Sequence, residues 1–325
     1  MISPSLPPAL KATLDAKLHG LSRSDTAARA ALISKTYRDG GSSRTIRTEA
    51  DALAYALARM PATYAAVTAC LNALIDVRLD FAPQSLLDIG AGPGTATFAA
   101  AEAFSSLQSF ALLDRNSPLR VLAIELAREN PRLGKLNYSS GEAHGTLAQA
   151  DAADLVTASY VIGELAEAER DSLIGLAWTK TKDALLIIEP GTPTGYARII
   201  AARAQLITKG AHVAAPCPHD SSCPLTAPDW CHFAQRLARS RAHKDIKGAE
   251  LPFEDEKFSY VIATRTPVAN RLARVLAEPA VGKVEVAAKL CTTCGVTLAK
   301  VPRRNKGAYA AARRWRWGDG VMEES

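Results

Sequence analysis

Three glycines that directly follow a short apolar segment constrain this chain more than any other feature. The segment is Ser85–Ile89, and Gly90, Gly92 and Gly94 follow within the sequence Leu-Asp-Ile-Gly-Ala-Gly-Pro-Gly-Thr. Glycine is needed where backbone approaches a ligand so closely that a Cβ atom would clash. In a doubly wound α/β fold such a turn lies at the carboxyl end of the first strand, where nucleotides bind. The pattern therefore predicts a nucleotide-binding strand–turn–helix unit.

The acids around these glycines indicate which nucleotide binds. Asp88 precedes Gly90, and the next apolar segment ends in Asp114, whose carboxylate can accept hydrogen bonds from both ribose hydroxyls. Dinucleotide enzymes usually carry G-x-G-x-x-G, whereas residue 95 is Thr, and the sequence resembles motif I of class I methyltransferases. The pattern favours S-adenosylmethionine. The candidate cofactor-binding residues are Asp88, Gly90, Gly92, Gly94, Asp114 and, at the end of the predicted fourth strand, Tyr160.

Strands and helices alternate through the middle of the chain, which predicts a parallel sheet with helices on both faces. Residues 258–264 and 284–290 would complete a seven-stranded sheet, and residues 296–301 would extend an edge. Upstream, apolar residues at helical spacing predict two helices separated by Pro61, and the glycine- and serine-rich residues 37–45 predict an exposed loop.

Five of the six cysteines lie in the last third of the chain. Cys217, Cys223 and Cys231 have the spacing C-x5-C-x7-C in a proline-rich stretch, and Cys291 and Cys294 form C-x2-C. The first twenty residues lack the apolar stretch of a secretory signal, so disulfides are the less expected explanation. Gathered thiolates then predict zinc or an iron–sulfur cluster. Zinc knuckles usually use two short pairs, so the irregular spacing favours a cubane cluster, with zinc as the alternative.

Positive charge collects after the cysteines in a chain whose net charge is +6. Basic residues near the end are interleaved with Tyr309, Trp315 and Trp317, and such groups neutralise phosphates and stack on unpaired bases. A second basic group, residues 236–247, directly follows Cys231. Two patches flanking the metal cysteines predict an RNA partner. The candidate RNA-binding residues are Arg303, Arg304, Lys306, Arg313, Arg314 and Arg316.

Several segments together resemble the methyltransferase-like small-ribosomal-subunit protein family, the Rsm family of bacteria and mitochondria, and the chain is identified as a bacterial-type member. The most distinctive elements are Cys-Pro-His at residues 217–219 and Asp-Trp-Cys-His-Phe at residues 229–233. The other elements lie at residues 55–64, 87–95, 189–192, 223–225 and 317–319.

The resemblance implies a [4Fe-4S] cluster on four cysteines and a role in assembling the small ribosomal subunit on its rRNA. By motif, Cys217, Cys223 and Cys231 are ligands, and Cys291 is the fourth, while Cys294 departs from the usual pattern. It further implies a monomer off the ribosome, with no membrane partner, in the bacterial cytoplasm or, in a eukaryote, the mitochondrial matrix. An active S-adenosylmethionine-dependent rRNA methyltransferase and a zinc-stapled RNA-binding module stay open as alternatives.

The expected fold is a class I methyltransferase Rossmann-like α/β domain with a seven-stranded sheet, an N-terminal helical region and a cysteine-rich metal-binding insertion. Five parts are expected along the chain. They are a helical region (1–80), the S-adenosylmethionine-binding core (81–200), the insertion (201–257), closing strands with the fourth metal cysteine (258–301) and a basic aromatic tail (302–325).

Overall fold

The central sheet is built outward from the strand that carries the glycine turn. A computed structural model describes residues 1–269 and 271–322, so the last three residues of the predicted tail lie outside the described part. Within it the sheet contains β1 (Ser85–Ile89), β2 (Ser109–Asp114), β3 (Asn137–Ser140), β4 (Ala153–Ser159), β5 (Thr181–Pro190), β6 (His212–Ala215), β7 (Phe233–Ala238) and β8 (Phe253–Thr264).

The strand order is β3-β2-β1-β4-β5-β8-β6, and β7 pairs with the first half of β8. Strands β1 to β5 are parallel, whereas β8 runs antiparallel to both β5 and β6. The first strand thus lies inside the sheet, β2 and β3 extend the sheet on one side of it and β4 and β5 on the other, and the antiparallel β8 lies near an edge. This arrangement defines a class I methyltransferase-like α/β fold with a mixed sheet.

Helices cover both faces of this sheet because neighbouring strand residues point to opposite sides. Leu86 and Leu155 pack into one apolar core with the third, fourth and fifth helices, and Leu87 and Val156 pack into another with the seventh and eighth. The helices are α1 (Pro8–Lys17), α2 (Arg23–Arg38), α3 (Glu49–Val77), α4 (Thr95–Ala103), α5 (Ser117–Arg128), α6 (Ala143–Gln149), α7 (Glu167–Thr179), α8 (Pro193–Thr208), α9 (Arg241–Lys247) and α10 (Lys306–Ala312).

Helix α3 continues through Pro61, so the prediction of two separate helices is wrong. Thr48 and Asp51 form a capping box at its start, and both neighbours of Pro61 are fully buried. Tertiary packing along the whole helix therefore outweighs the interior proline, which costs about 3 kcal/mol. By length and composition alone α3 is also apolar enough to cross a membrane, but 61% of its most apolar window is buried inside the fold, as in a core helix.

The prediction that residues 37–45 form an exposed loop is correct only for part of the segment, since residues 38–40 are exposed but its two ends lie in regular structure. Helix α2 runs to Arg38, and Ser43–Thr45 forms a 3-10 turn with Ser43 buried. The amide and hydroxyl of Ser43 both donate to Glu164 Oε2 at 3.2 Å, and Asn116 Nδ2 donates to the Ser43 carbonyl at 2.9 Å. These long-range hydrogen bonds hold the segment against the loops that follow β2 and β4.

The prediction that residues 284–290 complete the central sheet, and that residues 296–301 extend it, is also wrong. Both stretches lie in a second, antiparallel sheet. The far edge of β8 is instead paired with β6 and β7, which come from the stretch interpreted as an insertion. The second sheet contains β9 (Ala273–Val275), β10 (Ala280–Val281), β11 (Glu285–Thr292), β12 (Gly295–Pro302) and β13 (Gly320–Val321).

Candidate cofactor cleft and cysteine cavity

The glycine turn opens a cleft at the carboxyl end of β1. Gly90, Gly92 and Gly94 have φ angles of +66°, +53° and +80°, which side-chain-bearing residues rarely adopt. A Cβ atom at position 90 would lie 2.4 Å from Val161 Cγ2. Gly90 and Gly92 line the cleft, whereas Gly94 caps the start of α4 behind it.

Asp114 reaches the same cleft from the end of β2. Its Oδ2 accepts a hydrogen bond from the Gly92 amide at 2.9 Å, and its Oδ1 accepts one from the Asn116 amide at 2.7 Å. A carboxylate has about four acceptor positions, so two remain for ribose hydroxyls. Burial raises the pKa of this carboxyl above its ordinary value. The turn and the acid are therefore fixed to each other before any ligand binds.

Asp88 lies beneath the turn rather than among the residues that line the cleft. Its side chain is fully buried, and its two oxygens accept hydrogen bonds from Thr97 Oγ1 and Thr157 Oγ1, each at 2.8 Å. These bonds tie β1 to α4 and β4. Burial raises the pKa of Asp88 to about 6, although the threonine hydroxyls oppose the shift. In this geometry Asp88 supports the turn from within the core.

Replacing Asp88 with asparagine is expected to flatten the pH dependence of stability. A carboxyl whose pKa is raised in the folded state stabilises the fold fully below pH 3.8 and loses that contribution as the pH rises through 6. The shift corresponds to about 3 kcal/mol of unfolding free energy. Urea unfolding from pH 4 to 8 should show this fall in the parent and a smaller one in Asp88→Asn. The exposed Asp39→Asn is the control, and equal slopes in all three proteins would contradict the assignment.

Tyr160 lines the same cleft, directly after the last residue of β4. It is the one non-glycine residue with positive φ, +57°, in the part of the chain that the structure describes. Its amide donates to the Ile188 carbonyl at 2.8 Å, and its hydroxyl donates to Glu256 Oε1 at 3.0 Å, beside an ion pair between Glu256 and Arg59. A bulky residue in this conformation is strained, and such strain concentrates at functional sites.

Several cleft residues were missed by sequence reasoning. Tyr37, Ser43 and Tyr55 are the missed ones, and they line the cleft together with the glycine turn and Glu164. The cleft encloses about 830 Å³ including space open to solvent. Burial raises the pKa of Glu164. Tyr37 and Ser43 lie in or beside the stretch predicted as a loop. No local pattern marks them, because they reach the cleft only through the packing of α2 and α3.

Four of the six cysteines line a second cavity, which shares no residue with the cofactor cleft and is also lined by residues of α8 and β8. Cys217, Cys223 and Cys231 follow β6 in the chain, and Cys291 comes from β11 in the second sheet. The cavity encloses about 450 Å³ including solvent-open space. Cys294 does not line it and is exposed at the turn between β11 and β12. The fold thus brings together the four thiols that the family motif singles out.

These thiols do not form a site for a single ion. In residues 1–269 and 271–322, no group of three or more Cys, His, Asp or Glu side chains is arranged to hold one metal ion. Tetrahedral zinc with Zn–S bonds of about 2.3 Å requires sulfur atoms about 3.8 Å apart. Burial, reinforced by the neighbouring sulfurs, raises the pKa of Cys291 to about 12.

Two buried arginines line the same cavity. Arg203 of α8 is 4% exposed and Arg274 of β9 is 3% exposed. One terminal nitrogen of Arg203 donates to the His219 and Ser221 carbonyls at 2.7 and 2.8 Å, while its Nε has no partner among the described residues. Arg274 donates to the Pro216 carbonyl at 3.1 Å and to the Gly318 carbonyl at 2.8 Å. Within the described chain neither guanidinium pairs with a carboxylate within 4 Å.

The two predicted basic patches differ in the structure. All six candidate RNA-binding residues are exposed on or beside α10, and no ion pair with a described carboxylate neutralises them. Residues 236–247, by contrast, face acids of β8: Arg236 pairs with Asp255, and Arg239 and Lys247 pair with Glu254. The second group is therefore neutralised in part, because strand pairing places acids opposite some of its cations, whereas Arg241 and Lys244 form no ion pair with a described carboxylate.

A comparison of the sequence with models of known protein families shows to which family this chain belongs. The model of the family described as mitochondrial small ribosomal subunit Rsm22 matches residues 49–322. This chain belongs to the Rsm22 family. It is 29% identical over 292 residues to the human mitochondrial ribosome assembly protein METTL17, covering 84% of the chain and 62% of that relative.

Rsm22-family relatives also occur in fission yeast. The mitochondrial Rsm22-cox11 tandem protein 2 of Schizosaccharomyces pombe is 26% identical, covering 86% of this chain and 44% of the relative. The chain therefore spans about half to two thirds of the length of these relatives. Both relatives are mitochondrial proteins, and neither bears on the prediction of a bacterial-type member or of a bacterial cytoplasmic location.

Solved methyltransferase structures overlap this Rsm22-family fold only in part. A magnesium protoporphyrin IX methyltransferase from Synechocystis, solved with bound S-adenosylmethionine, is 14% identical, with a TM-score of 0.41 over 63% of this chain and 80% of that one. An O-methyltransferase family protein from Burkholderia thailandensis is also 14% identical, with a TM-score of 0.42 over 67% of this chain and 60% of that one.

Proposed function

We propose that this Rsm22-family chain is a methyltransferase-like assembly factor of the small ribosomal subunit that binds rRNA. One observation carries the proposal. Four cysteines line one cavity, and the segment that follows the fourth of them, Cys291, exposes a group of cations that form no ion pair with described carboxylates. The name of the human relative, a ribosome assembly protein, supports the same role. Because these relatives are mitochondrial, the mitochondrial matrix is the favoured location.

An iron–sulfur cluster suits the cysteine cavity better than zinc. A cubane cluster takes one thiolate at each of four irons, so its ligands stand farther apart than the four sulfurs around a single ion. Cys217, Cys223, Cys231 and Cys291 would hold it. The buried guanidiniums of Arg203 and Arg274 favour an anionic group there. When bound, the cluster would supply four iron–thiolate bonds and a one-electron redox couple.

The cofactor cleft fits S-adenosylmethionine by the chemistry of its donors. Gly90 and Gly92 allow close approach of the ligand, Asp114 keeps two acceptor positions for ribose, and Tyr160 also lines the cleft. These residues bind and orient the cofactor. An active rRNA methyltransferase is a second candidate function, favoured by the strained backbone of Tyr160 at the tip of β4.

The RNA-binding part of the proposal is tested by removing charge from the C-terminal surface. The triple variant Arg303→Gln, Arg304→Gln, Lys306→Gln should weaken binding to small-subunit rRNA. It should also flatten the plot of log affinity against log salt by about 0.7–0.9 for each phosphate that the variant can no longer neutralise. Filter binding or fluorescence anisotropy at several salt concentrations measures both quantities.

A matched control removes the same charge from the opposite edge of the sheet. Arg120→Gln, Arg128→Gln, Lys135→Gln changes three exposed cations in and after α5, beside β3. If both triple variants lower the affinity and the salt slope equally, the effect is one of net charge and the assigned surface is wrong. Co-sedimentation with immature small ribosomal subunits is measured for the same two triple variants. If only the Arg303, Arg304 and Lys306 variant no longer co-sediments, the assigned surface also binds the assembling subunit.

A further inference from the structure

We infer that Arg203 and Arg274 are positioning residues of the cysteine site, which hold its loops and balance the charge of a bound tetrathiolate cluster. The inference rests on the proposed function, since it concerns the cluster placed in the cavity above. It assigns a role to two residues that the motif of the cysteines does not include.

Both arginines lie where a lone cation is costly. Moving a charged group out of water costs several kcal/mol unless a counter-charge compensates it. Other arginines that approach the core obtain that counter-charge: Arg59 pairs with Glu256, and Arg78 pairs with Asp183. Arg203 and Arg274 are the buried arginines of the described chain, and both end on backbone carbonyls. Neither has an ion pair with a described carboxylate, although the charge of Arg274 acts on Asp319 and opposes the rise that burial causes in the pKa of that carboxyl.

The groups next to these two cations are the cysteine thiols. Arg274 lies directly opposite Cys291 in the antiparallel pair of β9 and β11, so the two side chains project from the same face. Arg203 lines the same cavity as Cys217. The Arg203 Nε–H also has no acceptor among the described residues, so one donor at the cavity remains to be satisfied.

The charge of a bound cluster matches that of the two arginines. Four thiolates around an oxidised cubane core carry a net charge of about −2, which two guanidiniums neutralise. The arginines therefore stabilise the loaded protein more than the protein without a cluster.

The hydrogen bonds of the same arginines position the ligands. Arg203 holds the carbonyls of His219 and Ser221, which lie between Cys217 and Cys223 in the chain. Arg274 holds the carbonyl of Pro216, directly before Cys217, and that of Gly318 near the C-terminal tail. Both sides of Cys217 are thus fixed by guanidiniums anchored on α8 and β9.

The test compares Arg203→Met and Arg274→Met in the anaerobically reconstituted full chain and in the reduced, metal-free chain. In the loaded protein we expect a midpoint potential shifted to more negative values, because removal of a positive charge disfavours the extra electron, and a lower Tm. In the metal-free protein we expect a smaller loss of Tm, because there the arginines contribute their hydrogen bonds to the loop carbonyls but no charge balance. Redox titration followed by electron paramagnetic resonance and thermal unfolding give the two readouts.

Two matched variants separate charge from packing. Arg203→Lys keeps the charge and should keep the potential, and Arg265→Met removes an arginine that also donates to carbonyls but lies at the other end of β8. If the methionine variants do not fold, Arg203→Gln and Arg274→Gln replace them. An unchanged potential, or an equal loss of Tm with and without the cluster, would overturn the inference. A parent chain that takes up no iron would overturn the cluster proposal first, so the two failures are distinguishable.

Discussion

Replacing Cys217 with serine is expected to remove the bound iron from the protein almost completely. Serine offers no soft thiolate, and a cubane with one open corner loses iron readily. Iron should fall from about four atoms per chain to below one, and the brown absorption near roughly 400 nm should disappear with it. The same result is expected for Cys223→Ser, Cys231→Ser and Cys291→Ser. Iron analysis and visible spectra of anaerobically purified protein measure it.

The remaining cysteines provide the controls for this experiment. Cys70 is buried in α3 and Cys294 is exposed at the β11–β12 turn, and neither lines the cavity. Cys70→Ser and Cys294→Ser should therefore keep both iron and colour. If Cys294→Ser loses iron and Cys291→Ser keeps it, Cys294 rather than Cys291 is the fourth ligand. A colourless parent protein with stoichiometric zinc would favour the zinc-stapled module instead.

Replacing Gly90 with alanine is expected to abolish S-adenosylmethionine binding and to destabilise the fold. The new Cβ would lie 2.4 Å from Val161 Cγ2, and the φ of +66° is unfavourable for alanine. Overpacking costs about 1–3 kcal/mol and the left-handed conformation about 1–2 kcal/mol. Val161 directly follows Tyr160, so relief of the clash displaces the wall of the cleft. Calorimetric titration and urea unfolding measure the two effects.

Gly40 supplies the control for the backbone contribution. Its φ is +80°, but an added Cβ would meet nothing within 4 Å. Gly40→Ala should therefore show the conformational cost alone, with cofactor binding retained. If Gly90→Ala binds S-adenosylmethionine with the affinity of the parent, the cleft at the glycine turn is not the cofactor site.

Features encoded by neighbouring residues were predictable. The strand before the glycine turn, the acid at the end of β2 and helices α4 and α5 depend on apolar periodicity, caps and glycines within a few residues. The predictions that were wrong concern segments whose conformation depends on contacts with residues distant in the sequence more than on their own helix or loop propensity. Pro61 lies inside a helix whose two halves are buried by other elements, and residues 37–45 are held by Glu164 and Asn116, more than seventy positions away.

The second basic group is neutralised in part for a related reason. Its cations were counted from the sequence, but the acids of β8 that pair with Arg236 and Arg239 become their neighbours only when β7 pairs with β8. The C-terminal cations have no such partner strand carrying acids within the described chain, and they stay exposed. Charge density along a sequence therefore indicates a patch, and strand pairing decides whether the patch remains cationic.

The sequence by itself determined the local chemistry: a glycine turn after a buried strand, an acid-tipped second strand, and cysteines in two segments. Each of these is a property of a few consecutive residues. The motif had indicated Cys291 rather than Cys294, and the tertiary structure places Cys291 in the cavity that the other three thiols line. Only the tertiary structure decided that Arg203 and Arg274 line the same cavity. Buried cations meet their neighbours across elements that are distant in the chain, so no short stretch of sequence indicates this result.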